Sequence, residues 1–206
     1  MPPLNTRTME KAHILESTYR LFTRYGIKRV SMDSLAGKFR ISKRTLYEFF
    51  DDKKSLVTQS VGHMRRRLHT NLKQIEDGCQ TPLEAALITA IKTYNLLNPQ
   101  CEAFRDELPC YMDAVGELER LRTDFQMAFL QRFREGVAQG SLLPNQNYEL
   151  LASVCWEHIS GGNLISGDFN NVLYTLLRGC ATPVGLIEME RLNAQWQERQ
   201  FYSKHL

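Results

Sequence analysis

The sequence predicts an all-α protein of about nine helices. Three observations carry this. Apolar residues recur at three- and four-residue spacing along nearly the whole chain, no run alternates with period two, and Gly and Pro fall where helices should stop and start. At 206 residues with 43% hydrophobic content the chain can bury a core of ordinary size. A disordered or fibrous polymer is thereby excluded.

The first helix covers about 7–25, with Ile14, Thr18 or Tyr19, Leu21, Phe22 and Tyr25 on its stripe, and Gly26 stops it. A short helix follows at about 32–38, with Ser31 as N-cap and Asp33 favoured by the positive helix end. A tight turn at 39–42 leads into a third helix, Lys43 to Phe49. Asp51 and Asp52 open a long fourth helix, about 52–77, striped by Leu56, Val57, Val61, Met64, Leu68, Leu72 and Ile75. Thr81 and Pro82 pair a cap with a first-position proline, starting a fifth helix that ends near Asn98-Pro99.

A shorter helix is expected at about 100–108, broken by Pro109. The seventh, about 114–139, carries Leu118, Leu121, Phe125, Phe129, Phe133 and Val137, and Gly140 and Pro144 end it. Two apolar helices close the count at about 146–165 and 169–181. The tail beyond Pro183 is expected to be partly helical, with Trp196 and Phe201 tucking back.

Charge is unevenly spread. Residues 1–69 hold 15 Lys and Arg against 6 Asp and Glu, a net of +9, and the rest of the chain nets −6. A basic end beside an acidic remainder is the electrostatic footprint of nucleic-acid binding. No apolar run reaches the roughly 18–20 residues of a membrane span, and the polar, basic start carries no secretory signal, so a cytoplasmic protein is expected. The five cysteines (79, 101, 110, 155, 180) are widely spaced without a Cys-x-x-Cys pair, and the histidines do not cluster. Neither a disulfide framework nor a metal site is expected, and no cofactor. No Ser/His/Asp or Cys/His constellation and no Gly-rich phosphate loop speaks for an enzyme.

The stretch from Ser31 to Leu56 carries the function. A short helix, a tight turn and a second short helix, with Leu35, Ala36, Ile41, Leu46 and Phe50 facing inward, make a helix-turn-helix (about 32–50). Its second helix can enter a major groove. Lys43, Arg44 and Thr45 lie in the first turn of that helix, where such motifs reach base edges. Ser31, Ser42, Tyr47 and Lys53 lie at helix starts or on the flank, placed to hold phosphates. The basic run Arg65-Arg66-Arg67 lies too far along the fourth helix to belong to this face; a solvated surface or ion pairing suits it better.

This stretch resembles the N-terminal DNA-binding domain of the TetR family of transcriptional regulators. The likeness begins at Ile14 and runs through Leu21, Phe22, Gly26, Ser31, Leu35 and Ala36. It is strongest over Ile41-Ser42-Lys43, Thr45-Leu46-Tyr47, Phe50, Lys53 and Leu56. Later echoes are Gly136, Gly140, Leu142 and Pro144, and the segment Leu177 to Thr182. Two positions depart from the pattern. Phe39-Arg40 stands where relatives usually have Ala-Gly, so Arg40 would carry backbone strain of roughly 1 kcal/mol if its φ is positive, offset if it adds a phosphate contact. Arg44 stands where many relatives have a small residue.

The resemblance implies residues 1–69 as the DNA-binding domain and 70–206 as a helical ligand-sensing and dimerisation domain. It implies a homodimeric regulator, a repressor, that binds double-stranded DNA at a palindromic operator. Its recognition helices would be spaced by about one turn, roughly 34 Å. A small-molecule effector of unknown identity would release it, with the fourth helix as hinge. Phe104, Tyr111, Phe125, Phe129 and Trp156 are the candidate pocket-lining residues, against the alternative that these aromatics are plain core. Leu151, Val154, Cys155, His158, Ile159 and Gly162 on one helix, with Val172, Leu173, Leu176 and Leu177 on the next, are the candidate dimer face, against intramolecular packing. A ligand-independent architectural DNA-binding protein of the same fold is the alternative function.

Overall fold

A computed structural model describes residues 4–98, 100–161 and 169–203. Among them lie ten α-helices: α1 (Leu4–Tyr25), α2 (Met32–Phe39), α3 (Lys43–Phe49), α4 (Lys53–Glu76), α5 (Pro82–Leu97), α6 (Glu102–Glu107), α7 (Met112–Ala138), α8 (Tyr148–Gly161), α9 (Phe169–Cys180) and α10 (Pro183–Ser203). No strand occurs among the described residues, only an isolated bridge between Leu142 and Ala181. No described helix is long and apolar enough to cross a membrane.

The tenth helix is the difference from the predicted nine. Its start repeats the Thr81-Pro82 signal: the Thr182 hydroxyl accepts the Gly185 N–H at 3.2 Å, with Pro183 at the first helical position. As expected, α6 ends at Glu107, ahead of Pro109. That proline sits inside a 3₁₀ turn, Leu108–Cys110, which has no use for its missing N–H. The expected contributions of Ile75, Trp196 and Phe201, and the end of α8 beyond Gly161, lie outside the described residues and side chains.

The chain divides into two compact units, one of Met1–Asn71 and Pro99–Arg122, the other of Leu72–Asn98 and Thr123–Leu206. The first therefore includes a segment that a linear division at residue 69 leaves out. Its core takes Ile14, Tyr19 and Phe22 from α1, Leu35 and Ala36 from α2, Leu46 from α3, Leu56, Val57 and Val61 from α4, and Phe104 from α6. Tyr19 meets Phe104 edge-on at 6.0 Å, and the Tyr19 hydroxyl accepts from Gln100 at 3.0 Å. The Cys101 N–H donates to the Thr23 carbonyl at 2.7 Å.

Gly26 does more than end α1. Its φ is +86°, and a Cβ there would lie 3.0 Å from that of Ala103, so α6 packs directly on the turn. In the same unit, buried Glu117 of α7 accepts from Arg65 at 3.0 Å and from Arg120. Arg67 pairs with Glu16. Two members of the basic run are thus committed to ion pairs.

The second unit packs α5 against α8 and α9, with α10 on α9 and α5. Phe125, Phe129 and Phe133 of α7 form a ladder with centroid separations of 5.0 and 4.5 Å, continued by Tyr148 at 4.8 Å from Phe133. Gly140, at φ +76°, ends α7 as expected of a left-handed cap residue.

Candidate nucleic-acid interface

The helix-turn-helix is built by local capping. At the start of α2 the Ser31 hydroxyl accepts the Ser34 N–H and the Ser34 hydroxyl accepts the Ser31 N–H, both at 3.1 Å. This reciprocal box has a second Ser where Glu is usual. At the start of α3 the Ser42 hydroxyl accepts the Thr45 N–H at 2.9 Å, and the two hydroxyls lie 2.8 Å apart. Ser31 and Ser42 are therefore structural caps as well as surface hydroxyls, and Thr45, half-buried, is held by Ser42.

The turn between α2 and α3 rests on Arg40, which adopts φ 56°, ψ 36°. Its N–H donates to the Gly37 carbonyl at 3.2 Å and the Ile41 N–H to the Ala36 carbonyl at 3.1 Å. This is the helix-ending pattern in which a left-handed residue, normally glycine, closes the last carbonyls. Arg40 is the one non-glycine residue with positive φ among the described residues.

Two cations stand at the exposed start of α3. Lys43 forms an ion pair with Asp33 at 2.7 Å, joining the first turns of α2 and α3, and that carboxylate raises the lysine pKa. Arg44, 89% exposed along its side chain, meets Glu48 one turn on at 3.3 Å. Tyr47 is 42% exposed. Leu46 and Phe50, at 0% and 1%, anchor the opposite side of the helix.

Lys53 differs from the rest. It is half-buried, its ammonium reaches the Lys28 carbonyl at 3.5 Å, and burial lowers its pKa, opposed by the Glu107 carboxylate. Glu107 itself accepts the Lys28 N–H at 2.7 Å. The turn at Lys28 is thus held by a carboxylate from α6 and an ammonium from α4. Sequence reasoning missed Glu107, which lies 79 positions from its partner, and gave Asp33 only a helix-end role. The charge of Asp33, opposite in sign to the cation ten positions on, was the available signal.

Residues 14–59 match the model of bacterial regulatory proteins, tetR family. This stretch is similar to the N-terminal DNA-binding domain of that family. Likeness of fold to solved TetR-family structures extends over most of the chain. Among solved structures, the chain resembles reduced NemR of E. coli with a TM-score of 0.71 at 17% identity, covering 84% of this chain and 98% of that one. A TetR-family regulator from Agrobacterium tumefaciens gives 0.70 at 16%, covering 85% and 99%. A gamma-butyrolactone receptor described as ArpA-like gives 0.68 at 16%, covering 93% and 98%. No curated protein matches the chain.

The remaining candidate residues are divided between the two compact units. Phe104 and Tyr111 belong to the first unit, Phe125, Phe129 and Trp156 to the second. In the second, Phe125 contacts both Phe129 at 5.0 Å and Trp156 at 5.7 Å. On the expected dimer face, Cys155, Ile159, Leu173 and Leu177 are at most 1% exposed within the single chain. Those four have no surface to offer a partner and serve the intramolecular core, because a stripe at helical spacing does not distinguish the two kinds of burial. Val154 is 44% exposed, and Leu151, His158, Val172 and Leu176 are half-buried. Gly162 lies outside the described residues. Among the described residues no group of three or more His, Cys, Asp or Glu side chains is placed to hold a metal.

Proposed function

We propose that this protein is a cytoplasmic transcriptional repressor that binds a palindromic operator as a homodimer and is released by a small-molecule effector. The observation that carries the reading is the exposed first turn of α3, with Lys43 and Arg44, on a capped helix-turn-helix inside the residues that match the TetR family. Arg44 and Lys43 are donors suited to guanine O6 and N7. Ser31, Ser42, Arg40 and Tyr47 supply hydroxyl and guanidinium groups for phosphates, while Lys53 steadies the turn at Lys28.

Dimerisation would use the open side of α8, where Leu150 and Val154 are 59% and 44% exposed, with Leu151, His158, Val172 and Leu176 completing the patch. The effector role draws on likeness to a protein named as a gamma-butyrolactone receptor. In this chain the ligand would enter by parting the Phe125, Phe129 and Trp156 rings. An effector preferring the non-binding state by a few kcal/mol suffices for release.

The test is selection from a random pool of duplexes by the full-length protein, followed by salt titration and measurement of stoichiometry. A few palindromes, bound by two subunits with steep salt dependence, support the reading. Diffuse recovery without sequence preference would instead indicate an architectural protein, and no recovery at low salt would remove the DNA-binding assignment.

A further inference from the structure

The Asp33–Lys43 pair has a consequence for how DNA is read. Both side chains are exposed, at 68% and 58%, so neither is buried by the fold, yet their charged atoms lie 2.7 Å apart across the two helices of the motif. A lysine ammonium has three donor hydrogens on a flexible four-carbon stem. Asp33 takes one of them and fixes where the stem points, leaving two for another acceptor. It also offsets part of the charge that would otherwise attract any phosphate nearby.

We propose that Asp33 is a specificity-determining positioning residue, whose carboxylate holds Lys43 at the start of α3 so that this cation engages DNA only where a base or phosphate acceptor coincides with its fixed direction. The inference rests on the DNA-binding reading above. On random sequence the pair is mostly closed and Lys43 contributes little to counterion release. On a matching site the acceptor joins Asp33 around the ammonium, and the orientation already imposed on the stem favours that contact. Glu48 offers Arg44 only a same-helix contact at 3.3 Å, one turn along α3, which leaves the guanidinium 89% exposed and less constrained.

The test compares wild type, Asp33→Asn, Lys43→Gln and the double variant in the full chain, with thermal unfolding to verify that each is folded. Two duplexes serve as probes: a random-sequence pool and the tightest duplex selected by the wild type. With Lys43 freed, Asp33→Asn should bind the random pool about two- to fivefold more tightly, the range expected of releasing an exposed pair. The slope of log affinity against log salt on that pool should steepen by about 0.9 for each subunit bound. The ratio of selected to random affinity should narrow by a similar factor. In the Lys43→Gln background the same substitution should leave the slope unchanged.

An equal steepening in that background overturns the inference, because Asp33 would then act by plain repulsion of DNA. So does an unchanged slope and ratio in the single variant while the wild type binds normally. A wild type that binds neither duplex at low salt defeats the DNA-binding reading, and this inference with it.

Discussion

Replacing Arg40 by glycine should move stability and DNA affinity in opposite directions. At φ 56°, ψ 36° an L-residue bears roughly 1–2 kcal/mol of left-handed strain. Glycine relieves it but returns about 0.4–1 kcal/mol through the greater freedom of the unfolded chain. The net gain is therefore between about 0 and 1.6 kcal/mol, centred near 0.8. In a chain of this length that corresponds to a rise in Tm of about 2–3 °C, read by circular dichroism. Arg40 is exposed, so its charge is available to a phosphate. Its loss should reduce the salt slope on duplex DNA by about 0.9 for each subunit bound. Arg40→Ala separates the two effects, since it discards the cation and keeps the strain. A lower Tm for Arg40→Gly would refute the strain reasoning, and an unchanged salt slope would refute the phosphate contact.

Other consequences can be measured directly. Tyr47→Phe should weaken binding to all sequences by a similar factor, whereas Arg44→Ala should change preference at particular base pairs, read by repeating the duplex selection with each variant. Phe129→Ala removes a fully buried ring from the α7 ladder and should cost about 3–5 kcal/mol in urea unfolding. His63, beside Arg66, Glu16 and Arg67, has its pKa lowered chiefly by burial and then by Arg66. The unfolded chain thus binds its proton more readily, so the stability it contributes is complete above about pH 6.5 and is lost as pH falls through the folded value. His63→Gln should flatten this part of the dependence of unfolding free energy on pH between about 7 and 5.

Local signals were legible and distant ones were not. Ser31 and Thr81 each cap the helix expected of them, and Gly26 and Gly140 end theirs with positive φ, because capping is decided within four or five residues; Ser42, read only as a phosphate contact, caps α3 as well. The left-handed turn at Arg40 followed from its place where relatives carry glycine. Thr182-Pro183 held the same start signal as Thr81-Pro82, and the partly helical tail expected after Pro183 is the full helix α10. The contact of Glu107 with Lys28 joins residues 79 positions apart, and no spacing encodes it. The half-burial of Lys53 has the same origin, since the carbonyl it reaches belongs to the α1–α2 turn. On α8 the periodicity identified an apolar helix but could not tell Cys155 and Ile159, which face the chain's own core, from Val154, which does not.

The docking of α6 on the turn after α1 bears on how this protein can be recombined. Exchanging DNA-reading heads between relatives at a seam near residue 70 would look conservative on a gene map. It would transplant α1 to α3 and most of α4 without Phe104, which covers Tyr19, without Glu107, which holds Lys28, and without Glu117, which neutralises Arg65. A foreign α6 would also meet Gly26 with its own side chain in place of Ala103, at a spot with no room to spare. A workable chimera therefore needs a second graft, residues 99–122, carried along with the head as a discontinuous cassette.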